Sequence, residues 1–142
     1  MASAIEVVNQ MMEKDAFSQW LGLQIDEVKE GYCKLHFTVR PDMMNGFDVL
    51  HGGVIFSASD SAFAFASNNY NRLSLVLSCT IDFIESGNIG DLLTITATEE
   101  SLRNKTSVYI IRVTNQHGKM IALFKGTGYR TAKLLVESDG EK

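Results

Sequence analysis

The chain has one proline, Pro41, and two cysteines, Cys33 and Cys79, in 142 residues. Two cysteines are too few for a disulfide framework and lack metal-ligand spacing, so they read as buried thiols of a reducing compartment. Three scattered histidines, His36, His51 and His117, make no metal cluster, and no metal site is expected. Charged residues are 21% of the chain, the net charge is −4, and no block of one sign occurs. Nucleic acid and anionic membranes are therefore not expected as partners. The longest apolar stretch, residues 49 to 66, is interrupted by His51, Asp60 and three serines, and is rejected as a membrane span. The N-terminus is acidic and amphipathic rather than basic and then apolar, unlike a secretory signal. These absences point to a cytoplasmic protein. Nucleotide-binding glycine motifs and the G-x-S-x-G elbow of serine hydrolases are absent too.

What is present suits one globular domain over residues 1–142, with 45% hydrophobic residues and length enough for a core. A helix is expected over about 3–20. Ser3 and Glu6 have the form of a capping box, Ile5, Val8, Met12 and Phe17 form a loose stripe, and Gly22 ends it. Strands follow at 23–30 and 32–40, where Cys33, Leu35, Phe37 and Val39 alternate with polar residues up to Pro41. After a loop, "HGGVIFSASDSAFAFASN" reads as a helix from about Gly53 to Asn69. Small residues and phenylalanines occupy nearly all its faces, so it belongs in a core. Strands at 73–85, 91–101, 105–116 and 119–131 supply the wrapping, with "NQHGK" as a hairpin turn, and the tail after Leu135 is expected to fray. The expected class is α+β: a long central helix wrapped by a curved, mostly antiparallel sheet of about six strands. An open sheet of that kind has edges to cover, and edge-to-edge dimerisation is one way.

Asp60 is the anomaly, the single acid in a run that otherwise avoids charge. An ionised carboxylate in apolar surroundings is costly unless it is partnered or serves chemistry, as a nucleophile or general base does. Nearby lie Asn45 and Gly46 in the loop and His51, Gly52 and Gly53 at the helix start. Free amides there, approached closely through glycine, suit a developing oxyanion. Eight residues of helix separate Gly52 from Asp60, about 12 Å along the axis, too far for both to touch one carbonyl. If they cooperate, two antiparallel subunits must share the site. A capped helix start and a solvated aspartate are the commoner readings of such residues, and spacing alone leaves the catalytic case open.

The stretch "MMNGFDVLHGGVIFSASDSAFAFASN", with "SCTIDFIESGNIGDLLTITA", "KTSVYIIRVTNQHGK" and "IALFKGTGYR" after it, resembles the hotdog-fold acyl-CoA thioesterases. The resemblance is to the subfamily typified by the phenylacetate-degradation thioesterase. It implies the hotdog fold and hydrolysis of an acyl-CoA, of aryl-acyl or medium-chain type, to free acid and coenzyme A. Coenzyme A is then part of the substrate, and no separate cofactor is expected. By position, Asp60 matches the catalytic acid, as nucleophile or as base on water, and Gly52 matches the amide that polarises the carbonyl. Asn45 and His51 match the polar pair opposite. Ser61, where relatives often carry threonine, keeps a hydroxyl beside the thioester, with Gly53 and Phe47 adjoining. A homotetramer built from two dimers is implied, with sites at the dimer interfaces. After "TIDF" relatives often carry a basic residue and proline where this chain has Ile84 and Glu85, which leaves Lys105 and Lys125 as candidate contacts for CoA phosphate. Two other functions stay open: a hydratase or dehydratase on enoyl or hydroxyacyl thioesters, and a non-catalytic acyl-binding protein.

Overall fold

The computed structural model describes residues 1–137. Among them, six strands form one antiparallel sheet: β1 (Gln24–Lys29), β2 (Tyr32–Thr38), β3 (Arg72–Phe83), β4 (Leu92–Leu102), β5 (Thr106–Thr114) and β6 (Met120–Leu134). They lie in the order β1-β2-β4-β5-β6-β3, so β1 and β3 are the edges. Register shifts near Ile25, Ser74, Ser78, Ser101 and Thr114 mark bulges, which bend strands and add twist. The sheet thereby curls around the helix Gly52–Asn68. The hotdog architecture expected from the sequence is the one observed.

The alternation in the strands sets the core. Leu35, Phe37, Leu93, Ile95, Ile111 and Phe124 face inward and are essentially excluded from solvent, meeting Ile55, Ala58, Ala62, Phe63 and Ala66 of the helix. Each large side chain so buried contributes about 1.5–3 kcal/mol. Close approach of helix and sheet needs a gap at Gly126, where an added Cβ would sit 2.7 Å from Cε2 of Phe63. Cys33 is fully buried, and burial followed by the negative charge of Asp26 pushes its thiol up to about 12. Cys79, by contrast, is only half-buried, on an edge strand without a full cover.

The N-terminal helix is broken in two. The helices α1 (Ala4–Lys14) and α2 (Ala16–Leu21) meet at Asp15, whose backbone leaves the helical region at φ −95°, ψ 80°. The cause is capping: the Asp15 carboxylate accepts the Ser18 amide at 3.0 Å and the Ser18 hydroxyl at 2.6 Å, starting a second helix. Ser3 caps α1 through the Glu6 amide, and Gly22, at φ 78°, ends α2 as expected. The stripe agrees with the expected one only in part. Val8 is buried as expected and Val7 joins it, whereas Ile5, in the first turn of α1, and Phe17, on α2 beyond the break, are exposed.

The core helix, α3 (Gly52–Asn68), is not enclosed on every side. The sheet covers one face, α1 and α2 cover part of the other, and Ser57, Asp60, Ser61 and Ala64 remain half-exposed. Its polar end is structural rather than a simple stop. Asn69 accepts the Gly31 amide at 2.9 Å and donates to the Lys29 carbonyl at 2.8 Å, while Asn68 receives the Ser74 amide at 2.8 Å. Asn71 exchanges two hydrogen bonds with the backbone of Val136, at 2.7 and 2.8 Å. The tail is therefore held through Val136, and the remainder of the stretch expected to fray, 138–142, lies outside the described residues.

Candidate active site

The start of α3 is built by the loop before it. Asn45 opens a tight turn: its amide bonds to the Val49 carbonyl at 2.8 Å, and its Oδ1 accepts the amides of Phe47 at 2.8 Å and Val49 at 3.3 Å. Two accepted N–H groups assign Oδ1 and leave Nδ2 as the outward donor, with no acceptor among the described residues. The turn carries Phe47 at its tip, 87% exposed. The loop is then pinned by the Leu50 amide on Gly87 O at 2.9 Å and the His51 amide on Met43 O at 3.0 Å. Gly87 permits this approach, since a Cβ there would lie 2.9 Å from Leu50 Cδ2.

His51 is the N-cap of α3. Its Nδ1 accepts the Gly53 amide at 2.8 Å, and its carbonyl takes the Val54 amide at 3.0 Å. The Gly52 amide has no acceptor among the described residues and sits at the positive end of a 17-residue helix. It borders a cavity of about 370 Å³ lined by Val49, Leu50, Ile55, Phe83 and Ser86. A side chain at Gly52 would press on the Phe83 ring at 3.3 Å, so glycine keeps this approach open.

Two turns further along α3, Asp60 is half-buried. Burial, then the negative charge of Asp15, raises its proton affinity above the ordinary carboxylate range. Beside it, Ser61 Oγ lies 2.8 Å from Ser18 Oγ on α2. Asn45, His51, Gly52 and Gly53 are thus gathered at the helix start, and Asp60 and Ser61 stand together on its less covered face. The two groups share one helix, so within one chain they stay apart, as the spacing requires.

Two expected contacts are not brought to the site. Lys125 is exposed on the outer face of β6, beside Thr80, turned away from α3. Lys105 lies in the β4–β5 turn, at the end of the sheet where β3 begins, opposite the Phe83 end that adjoins Gly52. Alternation along β6 turns Lys125 outward because its neighbour Phe124 faces inward, whereas Lys105 lies in a turn, where alternation carries no information. Asp15 and Ser18 are not marked by a full capping box, since serine rather than glutamate or glutamine stands three residues after Asp15; the aspartate alone, as an N-cap residue type, is the available signal. Among the described residues no group of three or more His, Cys, Asp or Glu is placed to hold a metal ion. Nor is any described helix long and apolar enough to cross a membrane.

A buried helix in a curled antiparallel sheet, with free amides at its start and one raised carboxylate in its middle, defines a hotdog protein with the parts for acyl transfer. The thioesterase superfamily model matches residues 47–122, and the chain belongs to that family. It is 41% identical to acyl-coenzyme A thioesterase PaaI of Escherichia coli K12, over 84% of this chain and 86% of that one. It is 40% identical to a putative esterase of Archaeoglobus fulgidus, covering 87% of this chain and 80% of the relative. The solved E. coli PaaI protein from the phenylacetic acid degradation operon superposes with a TM-score of 0.90 at 38% identity, over 92% of this chain and 95% of that one.

Proposed function

We propose that the protein hydrolyses acyl-coenzyme A thioesters, preferring aryl-acyl groups of phenylacetyl type, at sites shared between two subunits. The observation that carries this reading is the division of labour along α3: donors at Gly52 and Asn45 without acceptors among the described residues at one end, a half-buried carboxylate of raised basicity at Asp60 in the middle. In the proposed mechanism the thioester carbonyl oxygen of the substrate rests on the Gly52 amide of one subunit, with Asn45 Nδ2 as second donor. Asp60 of the other subunit removes a proton from water as the water oxygen bonds to the carbonyl carbon. The oxyanion is stabilised by the two donors and the helix terminus. Its collapse breaks the C–S bond, and the proton held by Asp60 passes to the leaving thiolate, giving free acid and coenzyme A. A base whose proton affinity is raised accepts that proton more readily at neutral pH. His51 serves by capping, and Phe47 and Phe83 offer aromatic surface beside the carbonyl position.

The edge strand β3 supports the shared site. Leu75, Val76 and Leu77 are each more than half exposed, and the edge between Arg72 and Asp82 carries no charge or proline to deter pairing. Antiparallel pairing of two β3 strands would cover them and run the two α3 helices in opposite directions. Two such dimers would make the tetramer. Lys105 then reaches phosphate only across the assembly, and Lys125 only from the outer face.

The test is thiol release from phenylacetyl-, hydroxyphenylacetyl-, benzoyl- and octanoyl-CoA by the wild type and by Asp60→Asn. Hydrolysis lost in a folded, oligomeric Asp60→Asn supports the reading. Enoyl-CoA consumption without thiol would support the hydratase instead. For a base rather than a nucleophile, single turnover in oxygen-18 water labels the product acid and leaves Asp60 unlabelled.

A further inference from the structure

The contact between α2 and α3 contains a hydrogen-bond chain whose direction is fixed. The Ser18 hydroxyl has one proton, and it is given to Asp15 Oδ2 at 2.6 Å, since an ionised carboxylate only accepts. The 2.8 Å contact of Ser18 with Ser61 therefore takes its proton from Ser61. Ser61 has then spent its only proton, and its remaining hydrogen-bonding capacity, one position along the helix from Asp60, is to accept. Ser18 is fully buried, so no water competes at its hydroxyl, while Asp15 and Ser61 on either side of it are half-buried.

We propose that Asp15 is a positioning residue for thioester hydrolysis: acting through Ser18, it makes the Ser61 hydroxyl an obligate acceptor, which holds the second proton of the water whose first proton Asp60 removes. This rests on the reading of Asp60 as the base. The water is then gripped by two acceptors on adjacent helical positions, and its oxygen lone pair is left for the carbonyl carbon. Were Ser61 free to donate, it would occupy that lone pair. Ser61 neither gains nor loses a proton over the cycle.

Asp15 acts on Asp60 electrostatically as well, being the charge that adds to burial in raising its proton affinity. The other titratable groups packed around α3 sit elsewhere. On the strands, Cys33 lies within the core, Tyr109 joins Glu99 near Ala66 at the far end, and Cys79 is on β3. His51 caps the helix start. From α1, Glu13 and Lys14 are exposed, and α2 carries no charge.

Asparagine at position 15 separates the roles. It caps a helix as well as aspartate does, so α2 keeps its start. It removes the charge, however, and its Nδ2 can donate to Ser18, which lets the whole chain reverse. With phenylacetyl-CoA and the full-length oligomer, Asp15→Asn is expected to shift the acid limb of the kcat–pH profile to lower pH. Its plateau kcat should fall, between about threefold and about 100-fold, with KM within about twofold, as for a misplaced reacting group. Ser18→Ala keeps the charge but cuts the chain, so its plateau should fall while its acid limb stays put. If both variants, folded and oligomeric, show the wild-type profile and plateau while Asp60→Asn is inactive, the inference is overturned and the Asp60 reading stands. If Asp60→Asn keeps its activity, the base assignment fails and this inference falls with it.

Discussion

The imidazole Nδ1 of His51 accepts the Gly53 amide at 2.8 Å, which puts the proton of the neutral ring on Nε2 and makes the residue a helix cap. A cap at this place does two things: it satisfies one orphan amide of α3 and holds the Gly52 amide pointing into the neighbouring cavity. Replacing His51 by alanine should cost about 1 kcal/mol of stability, the usual worth of a cap, and lower kcat/KM by misplacing Gly52. His51→Asn should retain both, because asparagine caps well. Chemical denaturation and thiol release measure the two effects. Loss of activity in a stable His51→Asn would instead make His51 an acid or base.

Asp60 should make the protein less stable as pH rises. Its proton affinity in the folded state is raised by burial and then by Asp15, so folding favours the protonated form. Below the unfolded-state pKa, about 4, both states are protonated and no penalty exists. The penalty grows as pH climbs through the folded pKa and is complete above it. Asp60→Asn is thus expected to melt above wild type at pH 7.5 and to converge with it near pH 3. Parallel melting curves at both pH values would contradict the shift.

Gly126→Ala is expected to cost about 1–3 kcal/mol, the penalty of overpacking. The new methyl would meet the Phe63 ring, which has Tyr109 at 5.7 Å and Phe124 at 6.1 Å on its flanks and nowhere to go. Urea midpoints with an unchanged slope should show the loss, and Phe63→Leu in the same chain should recover part of it.

A charge on the β3 edge should separate the subunits. Leu77→Arg places a cation on a side chain that is 58% exposed in the single chain and is covered in the proposed dimer. Light scattering on chains of 15.7 kDa is expected to show a monomer, and thiol release should fall by at least about 100-fold, as when a reacting group is removed. A monomer with full activity would refute the shared site.

Much of this protein is legible residue by residue. Alternation at Cys33, Leu35 and Phe37 marks a half-buried strand, Gly22 and Gly118 adopt the positive φ that ends a helix or turns a hairpin, and a lone acid in a small-residue helix marks Asp60. These are local signals, each set by a period or a dihedral. Loop residues Asn45 and His51 stand out beside the helix start and take their roles from resemblance, but their bonds to Phe47, Val49 and Gly53 are visible only in space.

What the sequence by itself determined is the set of elements, their inward faces and the presence of one carboxylate that the core does not need, because these follow from short-range sterics and hydrophobic period. Tertiary structure alone decided that Ser18 reaches Ser61 across 43 positions of chain, and that Asn69 and Asn71 find their backbone partners at Lys29 and Val136. Those outcomes depend on which surfaces meet when the sheet curls around α3. The energy of a buried hydroxyl or carboxylate depends on partners distant in sequence, and no local pattern carries that information.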